Sequence, residues 1–565
     1  MTNRLSVLLS LALAVLVVAA PVAHGAAVVT VVNNDGANEG FNDPTPVAPV
    51  GGNAGTTLGQ QRLIVFQYAA QKWGQTLDSV VPIFVRANFD PLTCTPTSAV
   101  LGSAGALEIF ANFPGTGLHP GALYPNAWHG GALANKRAGA DLSTGPEIGT
   151  RFNSNLGLPG CLTGRTFYLG LDANHGNNID LAAVVLHELG HGMGFQQFAS
   201  VSTGAMILGL PDVYNTLIFD NTQLRTWPLM TDLERRASAI NARRVTFHGN
   251  TVTTAVPSVL QLGTPVLRVS APAAISGTYA VGAASFGPAL GSPGVTAALA
   301  LADDGVAPAN DACTALTNAA AVAGKIAVVD RGLCGFTVKA AVVQAAGAIG
   351  MVVVDNAADN PPPGLGGADP TITIPSVRIT LADGITIKAQ LGVGVTATLG
   401  VDQTVYAGAD PSGFALLNAP NPVQPGSSIS HWDPITTPNQ IMEPSINAGL
   451  PHVLAPPADL TLPLMRDIGW YPDADLDGVE NDQCPASNQL ATVVIDGIDT
   501  GVPNPMFTSG CTVTDLVVGQ ATGATNHGGF VSGVARLLNA LRDAGVITGA
   551  QRGAIQSAAA RANLP

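Results

Sequence analysis

Residues 178–198 read NIDLAAVVLHELGHGMGFQQF, a stretch that combines an apolar run with two histidines and three glycines. Asn178 or Asp180 can cap the start of a helix, since both side chains accept hydrogen bonds from free backbone amides. The run 181–186 is apolar on all sides, which indicates a buried helix. Glycines follow the run, the last being Gly194, and the helix is expected to end among them.

This predicted helix carries a His-Glu-x-x-His motif. His187 and His191 are four residues apart, so their imidazoles project from one face and can bind a single metal ion. Glu188 would then lie beside the metal-bound water, where it can act as a general base. The same motif also arises by chance, in a helix whose two histidines have only structural partners. The apolar lead-in, the capped start and Gly194 favour zinc.

Gly194 lies three residues after the second histidine, where a sharp turn could bring a third ligand to the metal. The arrangement resembles the metzincin metallopeptidases, whose motif is His-Glu-x-x-His-x-x-Gly-x-x-His. The chain departs from that motif because Gln197, a poor zinc ligand, occupies the position of the third histidine. Either the site is inactive or the third ligand comes from elsewhere in the chain.

The resemblance implies a third histidine followed by a methionine turn. His431 stands in SISHWD, a short way before Met442 in IMEP. This order is similar to the leishmanolysin-like branch, in which an insertion separates the glycine from the third histidine, and Met442 would form an apolar floor under the metal. Alternatively, His431 is an ordinary loop histidine, with His452 as its nearest rival. A carboxylate ligand of the gluzincin type would leave Gly194 without a purpose.

Residues 263–402 differ in amino-acid composition from the flanking chain. Short β-branched runs, glycine and alanine dominate, with predicted strands in GKIAVVDRG (324–332) and GMVVVDN (350–356) around an alanine-rich helix. The segment closely resembles a protease-associated (PA) domain, a non-catalytic module that is often inserted in peptidases and is thought to control access or hold substrate. Such an insertion is tolerated if its ends lie close together. The alternative is a generic sandwich domain without functional coupling.

An acidic segment follows, DADLDGVENDQCP (473–485). Carboxylates that alternate before a glycine can surround Ca²⁺ with oxygen ligands, although an EF-hand would need glutamate where Cys484 stands. The segment instead resembles a thrombospondin type 3 calcium repeat, with a solvated acidic linker as the alternative. The candidate calcium ligands are Asp473, Asp475, Asp477, Asn481 and Asp482.

The N-terminal residues have the pattern of a secretory signal. Arg4 precedes the apolar run 5–20, and small residues up to Gly25 offer a cleavage site, which predicts a signal peptide over 1–25 and a secreted, extracellular product. A signal anchor is the alternative. Six cysteines suit an oxidising compartment and allow fifteen connectivities. Proximity favours the pairs Cys94–Cys161, Cys313–Cys334 and Cys484–Cys511.

The predicted fold class is α+β: a metzincin-like catalytic domain interrupted by an α/β PA domain, with a small C-terminal calcium loop and a helical hairpin. Upstream strands and a helix would complete the upper catalytic subdomain, whose edge strand can pair with an extended peptide. The predicted segments are the signal peptide 1–25, the first catalytic part 26–262, the PA domain 263–402, the second catalytic part 403–472, the calcium repeat 473–490 and the C-terminal helical module 491–565.

The composition limits the classes of partner that the protein is expected to bind. Asp and Glu number 38 against 24 Lys and Arg, which disfavours nucleic acid and anionic membranes, and no later run is long and apolar enough for stable membrane insertion. The sequence therefore predicts a secreted zinc endopeptidase that cleaves proteins or peptides. The rivals are a non-catalytic secreted binding protein with a vestigial zinc site, and a metal-dependent hydrolase of another substrate class.

Overall fold

The computed structural model describes residues 26–116, 119–447, 449–471, 487–488, 490–507, 511–521 and 524–564. Within these residues the chain is a mixed α/β protein, and none of the described helices is long and apolar enough to cross a membrane. The predicted signal peptide, Cys484 and every candidate calcium ligand lie outside them, the ligands being Asp473, Asp475, Asp477, Asn481 and Asp482.

The first part of the predicted catalytic region contains a four-stranded sheet, other strands that pair separately, and the helices that cover the sheet. Its strands are β1 (Val29–Asn33), β2 (Ile83–Asp90), β3 (Gly102–Ala106), β4 (Ile109–Phe110), β5 (His129–Gly130), β6 (Ile148–Asn153), β7 (Phe167–Tyr168), β8 (Ile179–Asp180), β9 (Ile218–Asp220), β10 (Arg225–Thr226) and β11 (Val245–Phe247). Its helices are α1 (Leu58–Thr76), α2 (Gly131–Ala138), α3 (Leu181–Met193), α4 (Asp232–Ser238) and α5 (Asn250–Val259). The sheet has the order β1-β2-β6-β3, in which β3 is antiparallel to β6 and forms an edge.

Helix α3 is buried along its whole length, as its apolar sequence predicts. Asp180, one of the two expected caps, accepts a hydrogen bond from the Ala182 amide at 2.9 Å. Two indole N–H groups bind its backbone, that of Trp73 on α1 to the Leu186 carbonyl and that of Trp470 to the Met193 carbonyl. These bonds satisfy buried polar groups and fix the helix between the first and second parts of the catalytic region.

The inserted module is a larger mixed sheet. Its strands are β12 (Leu262–Ala271), β13 (Gly277–Ala280), β14 (Gly282–Ala283), β15 (Val295–Leu301), β16 (Ile326–Asp330), β17 (Gly350–Val354), β18 (Ser376–Ile379) and β19 (Thr396–Tyr406), and its helices are α6 (Ala319–Val322), α7 (Phe336–Ala345) and α8 (Leu381–Gln390). The strand order is β13-β12-β19-β15-β16-β17-β18-β14. Alternate residues of β16 enter separate cores: Ile326 and Val328 one, Ala327 and Val329 the other.

The ends of the insertion lie side by side, as a tolerated insertion requires. Strand β12 begins the module, β19 ends it, and the two pair antiparallel with Leu262 opposite Tyr406. The chain therefore leaves the catalytic region and returns to it at one place. The cores of the insertion are separate from the catalytic core, which contains residues from both sides of it, such as Leu186 and Met442.

The second part of the catalytic region is mostly irregular backbone. It contains β20 (Ala415–Leu416), which pairs with β11, and α9 (Thr461–Asp467). Between them the chain runs through His431 and Met442. The backbone of Trp432 donates to the Met442 carbonyl at 2.9 Å, which holds the two segments together.

The C-terminal module contains the predicted helical hairpin, formed by α11 (His527–Asp543) and α12 (Gly549–Arg561), together with α10 (Val513–Val518). It also contains a β-hairpin of β21 (Thr492–Ile495) and β22 (Ile498–Pro503), which was not predicted. The sequence TVVIDGIDTGVP carries the signal, because a β-branched run surrounds an Asp-Gly turn. Strand residues Val493 and Ile495 share a core with Phe530 of α11.

Candidate metal centre

Helix α3 places its two histidines on one face. His187 and His191 are buried, and their Nε2 atoms lie 3.1 Å apart. Gly190, between them, leaves room for the Met442 side chain, since a Cβ there would lie 2.5 Å from the Met442 sulfur. Gly194 ends the helix with φ of +127°, a conformation that favours glycine.

His431 joins this pair from more than two hundred residues away in the chain. Its Nε2 lies 3.2 Å from the Nε2 of His187 and 3.2 Å from that of His191. These three residues form the one His, Cys, Asp or Glu group with metal-binding geometry among the described residues. His452, the rival for the third position, instead bonds Asp180 at 2.8 Å and the Tyr68 hydroxyl at 3.2 Å.

The other nitrogen of each ring fixes its tautomer. The Nδ1 atoms of His187, His191 and His431 lie 2.7–2.8 Å from the backbone carbonyls of Ile441, Phe195 and Ser427. A carbonyl can only accept, so each Nδ1 carries the proton and each Nε2 presents a lone pair. Three lone pairs then point at one another, which is unfavourable unless a cation lies between them.

A zinc ion fits these donors. Ligand nitrogens about 2.0–2.1 Å from a tetrahedral zinc lie about 3.3–3.4 Å apart, close to the separations of 3.1–3.2 Å here. Burial lowers the pKa of His187 to about 3 and of His191 to about 4, and holds the pKa of His431 well below its ordinary value. Neutral imidazoles are the form that binds a metal ion.

Glu188 lies next to the three histidines, at the wall of a cleft. Burial raises the pKa of its carboxyl to about 8, and the side chain has no hydrogen-bond partner among the described residues. Strand β3 passes close to it, since a Cβ on Gly102 would lie 2.8 Å from Glu188 Oε1. The carboxyl therefore lies between strand β3, the cleft and the histidines. Its oxygens are free to accept a proton.

The turn at Met442 forms the base of the centre. Met442 is fully buried against the catalytic core, and the preceding Ile441 carbonyl accepts from His187. Asp459 anchors this turn, because its Oδ2 accepts from the Ile441 amide at 2.7 Å and its Oδ1 from the Thr461 amide. Sequence reasoning missed Asp459, and no local motif indicates a contact between residues 18 positions apart.

Gln197, the residue at the usual position of a third histidine, lies in the same cleft. Its Oε1 is buried and has no hydrogen-bond partner among the described residues. Its neighbour Gln196 points to the edge strand, where its Oε1 accepts from the Ala106 amide at 3.1 Å. Gln197 therefore faces the cleft, whereas Gln196 binds the strand that borders it.

The cleft in front of the histidines encloses about 770 Å³. The lining includes residues 99–104, which contain the start of edge strand β3, residues 425–427, and Pro444 and Ile446.

Two of the three predicted disulfides are present, Cys94–Cys161 and Cys313–Cys334. The first fastens the segment before β3 to the segment before β7. The second lies in the inserted module, and the third, Cys484–Cys511, involves a residue outside the described ranges. The candidate calcium site likewise stays a prediction.

Comparison with known proteins identifies the insertion. Residues 295–387 match the PA domain family, which confirms an inserted PA domain in this chain. No curated protein matches the chain.

Solved structures match it only in part. A zinc aminopeptidase from Bacillus subtilis has 24% identity and a TM-score of 0.20 over 27% of this chain and 36% of its own length. An aminopeptidase from Aneurinibacillus sp. strain AM-1 has 21% identity and a TM-score of 0.20 over 27% and 37%. A subtilisin-like protease from Pseudoalteromonas sp. AS-11 has 22% identity and a TM-score of 0.18 over 26% and 34%. The chain spans about a third of each, and these likenesses carry no conclusion about the catalytic region.

Proposed function

We propose that the chain is a secreted zinc-dependent endopeptidase of metzincin-like type. The main evidence for the proposal is that three Nε2 lone pairs converge on one point. Each is fixed because a backbone carbonyl accepts from the Nδ1 of the same ring. A buried set of three neutral histidines with an adjacent free carboxyl is the donor set of zinc hydrolases. The turn at Gly194 and the buried Met442 beneath the helix support the metzincin-like placement.

His187, His191 and His431 would hold the zinc ion, which when bound polarises the scissile carbonyl and acidifies water. Glu188 accepts the proton of the attacking water and passes it to the leaving amine. A nearby cation lowers the pKa of this carboxyl from the value that burial alone gives it. The carboxylate is then ionised and able to act as a base at neutral pH.

Edge strand β3 would hold the substrate. It pairs with β6 along one side only, so backbone groups on its other side are available to an extended peptide, apart from the Ala106 amide, which donates to Gln196. Backbone pairing along β3 would bring the peptide past Gly102, where Glu188 approaches the strand. The PA domain and the predicted calcium loop would have no direct part in the chemistry.

The test is hydrolysis of an internally quenched peptide by the zinc-loaded protein. Glu188→Gln should retain zinc and the fold but lose at least about a hundredfold in rate, since a general base contributes on that scale. Glu39→Gln, at an exposed glutamate outside the cleft, is the matched control and should keep the wild-type rate. Equal rates for wild type and Glu188→Gln would overturn the proposal. Zinc binding without any hydrolysis would instead support the rival, a non-catalytic binding protein.

A further inference from the structure

One end of the cleft carries a single cationic side chain. Arg165 lines it together with Leu162, Ile179 and Ile446. Apart from Arg165 and the metal-centre residues, the described residues lining the cleft are apolar or uncharged. A ligand side chain that enters this end therefore meets apolar walls and one positive charge.

The Arg165 side chain has no polar partner within the described part of the protein. Its guanidinium has no ion pair and no hydrogen bond with any described residue, whereas Arg137 donates to two backbone carbonyls. The carboxylate of Asp180, which lines the same small cavity as Arg165, is bonded to His452. Arg165 is exposed at the border of the cleft, so in a chain with a net charge of −14 its guanidinium is available to a negatively charged ligand there.

Residues of α3 show where this end of the cleft lies relative to the metal centre. Val184 also lines the cleft and precedes His187 by three residues, so it lies on the same helix face about 4.5 Å nearer the N-terminus. Ile179 comes just before the helix. The Arg165 end therefore lies on the side of His187 that faces the N-terminus of α3.

A smaller cavity of about 110 Å³ shares Arg165, Ile179 and Ile446 with the cleft. It adds polar groups from His175 and Asn178 and the carboxylate of Asp180, which is bonded to His452. The methylenes of a glutamate could pass the apolar walls while its carboxylate meets the guanidinium. Arginine is suited to this because its planar fork binds a carboxylate through two parallel hydrogen bonds.

We propose that Arg165 makes the enzyme selective for peptides with an acidic side chain, glutamate foremost, next to the scissile bond on the side bound beyond His187. The inference rests on the proposed peptidase function. A neutral side chain of the same shape would leave the guanidinium without a partner, so charge rather than size should decide the preference.

The test compares matched quenched peptides with glutamate or glutamine at each position flanking the scissile bond. For the wild type, glutamate at one of these positions should raise kcat/KM about tenfold over glutamine, the scale of one partly exposed charge-assisted contact. Arg165→Gln should remove this difference by lowering the rate on the glutamate peptide. Arg165→Glu should reverse it, with lysine preferred at the same position.

The matched control is Arg236→Gln, which removes an exposed, unpaired arginine outside the cleft and should leave the glutamate preference intact. Equal hydrolysis of glutamate and glutamine peptides by the wild type would overturn the inference and leave the proposed function standing. The same holds if the preference survives in Arg165→Gln. Absence of hydrolysis from every peptide would overturn both proposals.

Discussion

At the scale of single residues, the chemistry depends on side chains that burial has deprived of water. Three imidazoles with lowered pKa values lie beside Glu188, whose pKa is raised to about 8, and the pKa of Glu443, next to Met442 in the chain, is also raised to about 8. Desolvation causes both shifts, because it penalises the charged form of either kind of group. The buried histidines are therefore neutral, and a bound cation would supply the positive charge that they lack.

Glu443, which follows Met442, gives a prediction about pH. Its pKa is about 8 in the folded protein against an ordinary value of 4.5, so between these pH values the native state binds a proton that the unfolded chain has lost. Stability should therefore fall as pH rises through this window, by up to about 1.4 kcal/mol per pH unit. Glu443→Gln removes the titration and should lose less stability between pH 5 and pH 8.

Urea unfolding followed by tryptophan fluorescence measures this difference. The five tryptophans all lie in the catalytic region, so the signal reports that region and not the PA domain or the C-terminal module. Parallel stability curves for wild type and Glu443→Gln across pH 5 to pH 8 would show that the Glu443 carboxyl is not protonated in the folded protein.

At the scale of elements, the turn that contains Met442 is connected to α3 through backbone groups. Asp459 accepts from the Ile441 amide, and the Ile441 carbonyl accepts from His187 Nδ1. This peptide unit therefore links a carboxylate to a metal-ligand ring. Outer contacts of this kind orient the ligands of metal sites.

Asp459→Ala should consequently weaken zinc binding at least about tenfold, a typical effect of losing an outer contact. It should also lower stability by about 1–3 kcal/mol, since a buried amide loses its partner. Asp467→Ala is the matched control, because Asp467 also accepts from two backbone amides, those of Thr251 and Val252. Isothermal titration with zinc measures both variants, and equal zinc affinities for the two would contradict the role given to Asp459.

Sequence reasoning worked where the signal is local. The spacing of His187 and His191, the apolar lead-in and the PA-like strands are all contained in short segments, and they led to the observed helix and inserted module. His431 needed a family resemblance, because nothing local relates it to α3. Arg165 and Asp459 could not be found from the sequence, since their roles depend on contacts that only the folded chain creates. The missed β-hairpin at 492–503 did have a local signal in its Asp-Gly turn.

At the scale of the whole molecule, the PA domain touches the loop that carries the third histidine. Asn360 and Asn421 exchange two backbone hydrogen bonds, and Asn421 begins the stretch that leads to the cleft wall at 425–427. Arg243 adds a second link by donating to the Val281 carbonyl at 3.3 Å. The inserted domain thus braces one side of the cleft without contributing a metal-centre residue.

Replacing residues 263–405 by a short glycine–serine linker should therefore leave zinc binding intact. The three histidines belong to a core that the insertion does not share, and the ends to be joined already pair at Leu262 and Tyr406. Peptide hydrolysis should fall several-fold, because the loop at 421–427 loses its brace. Zinc content and rate, measured on the same sample, check this prediction, and a linker variant that folds but binds no zinc would contradict it.

Binding of one zinc ion by His187, His191 and His431 can be measured through the metal content of purified variants. Wild type, His431→Ala and His452→Ala are loaded with zinc, dialysed and measured by elemental mass spectrometry, with tryptophan fluorescence to show that each is folded. We expect one zinc per chain in wild type and His452→Ala and almost none in His431→Ala. A folded His431→Ala protein with a full zinc complement would show that His431 is not a zinc ligand.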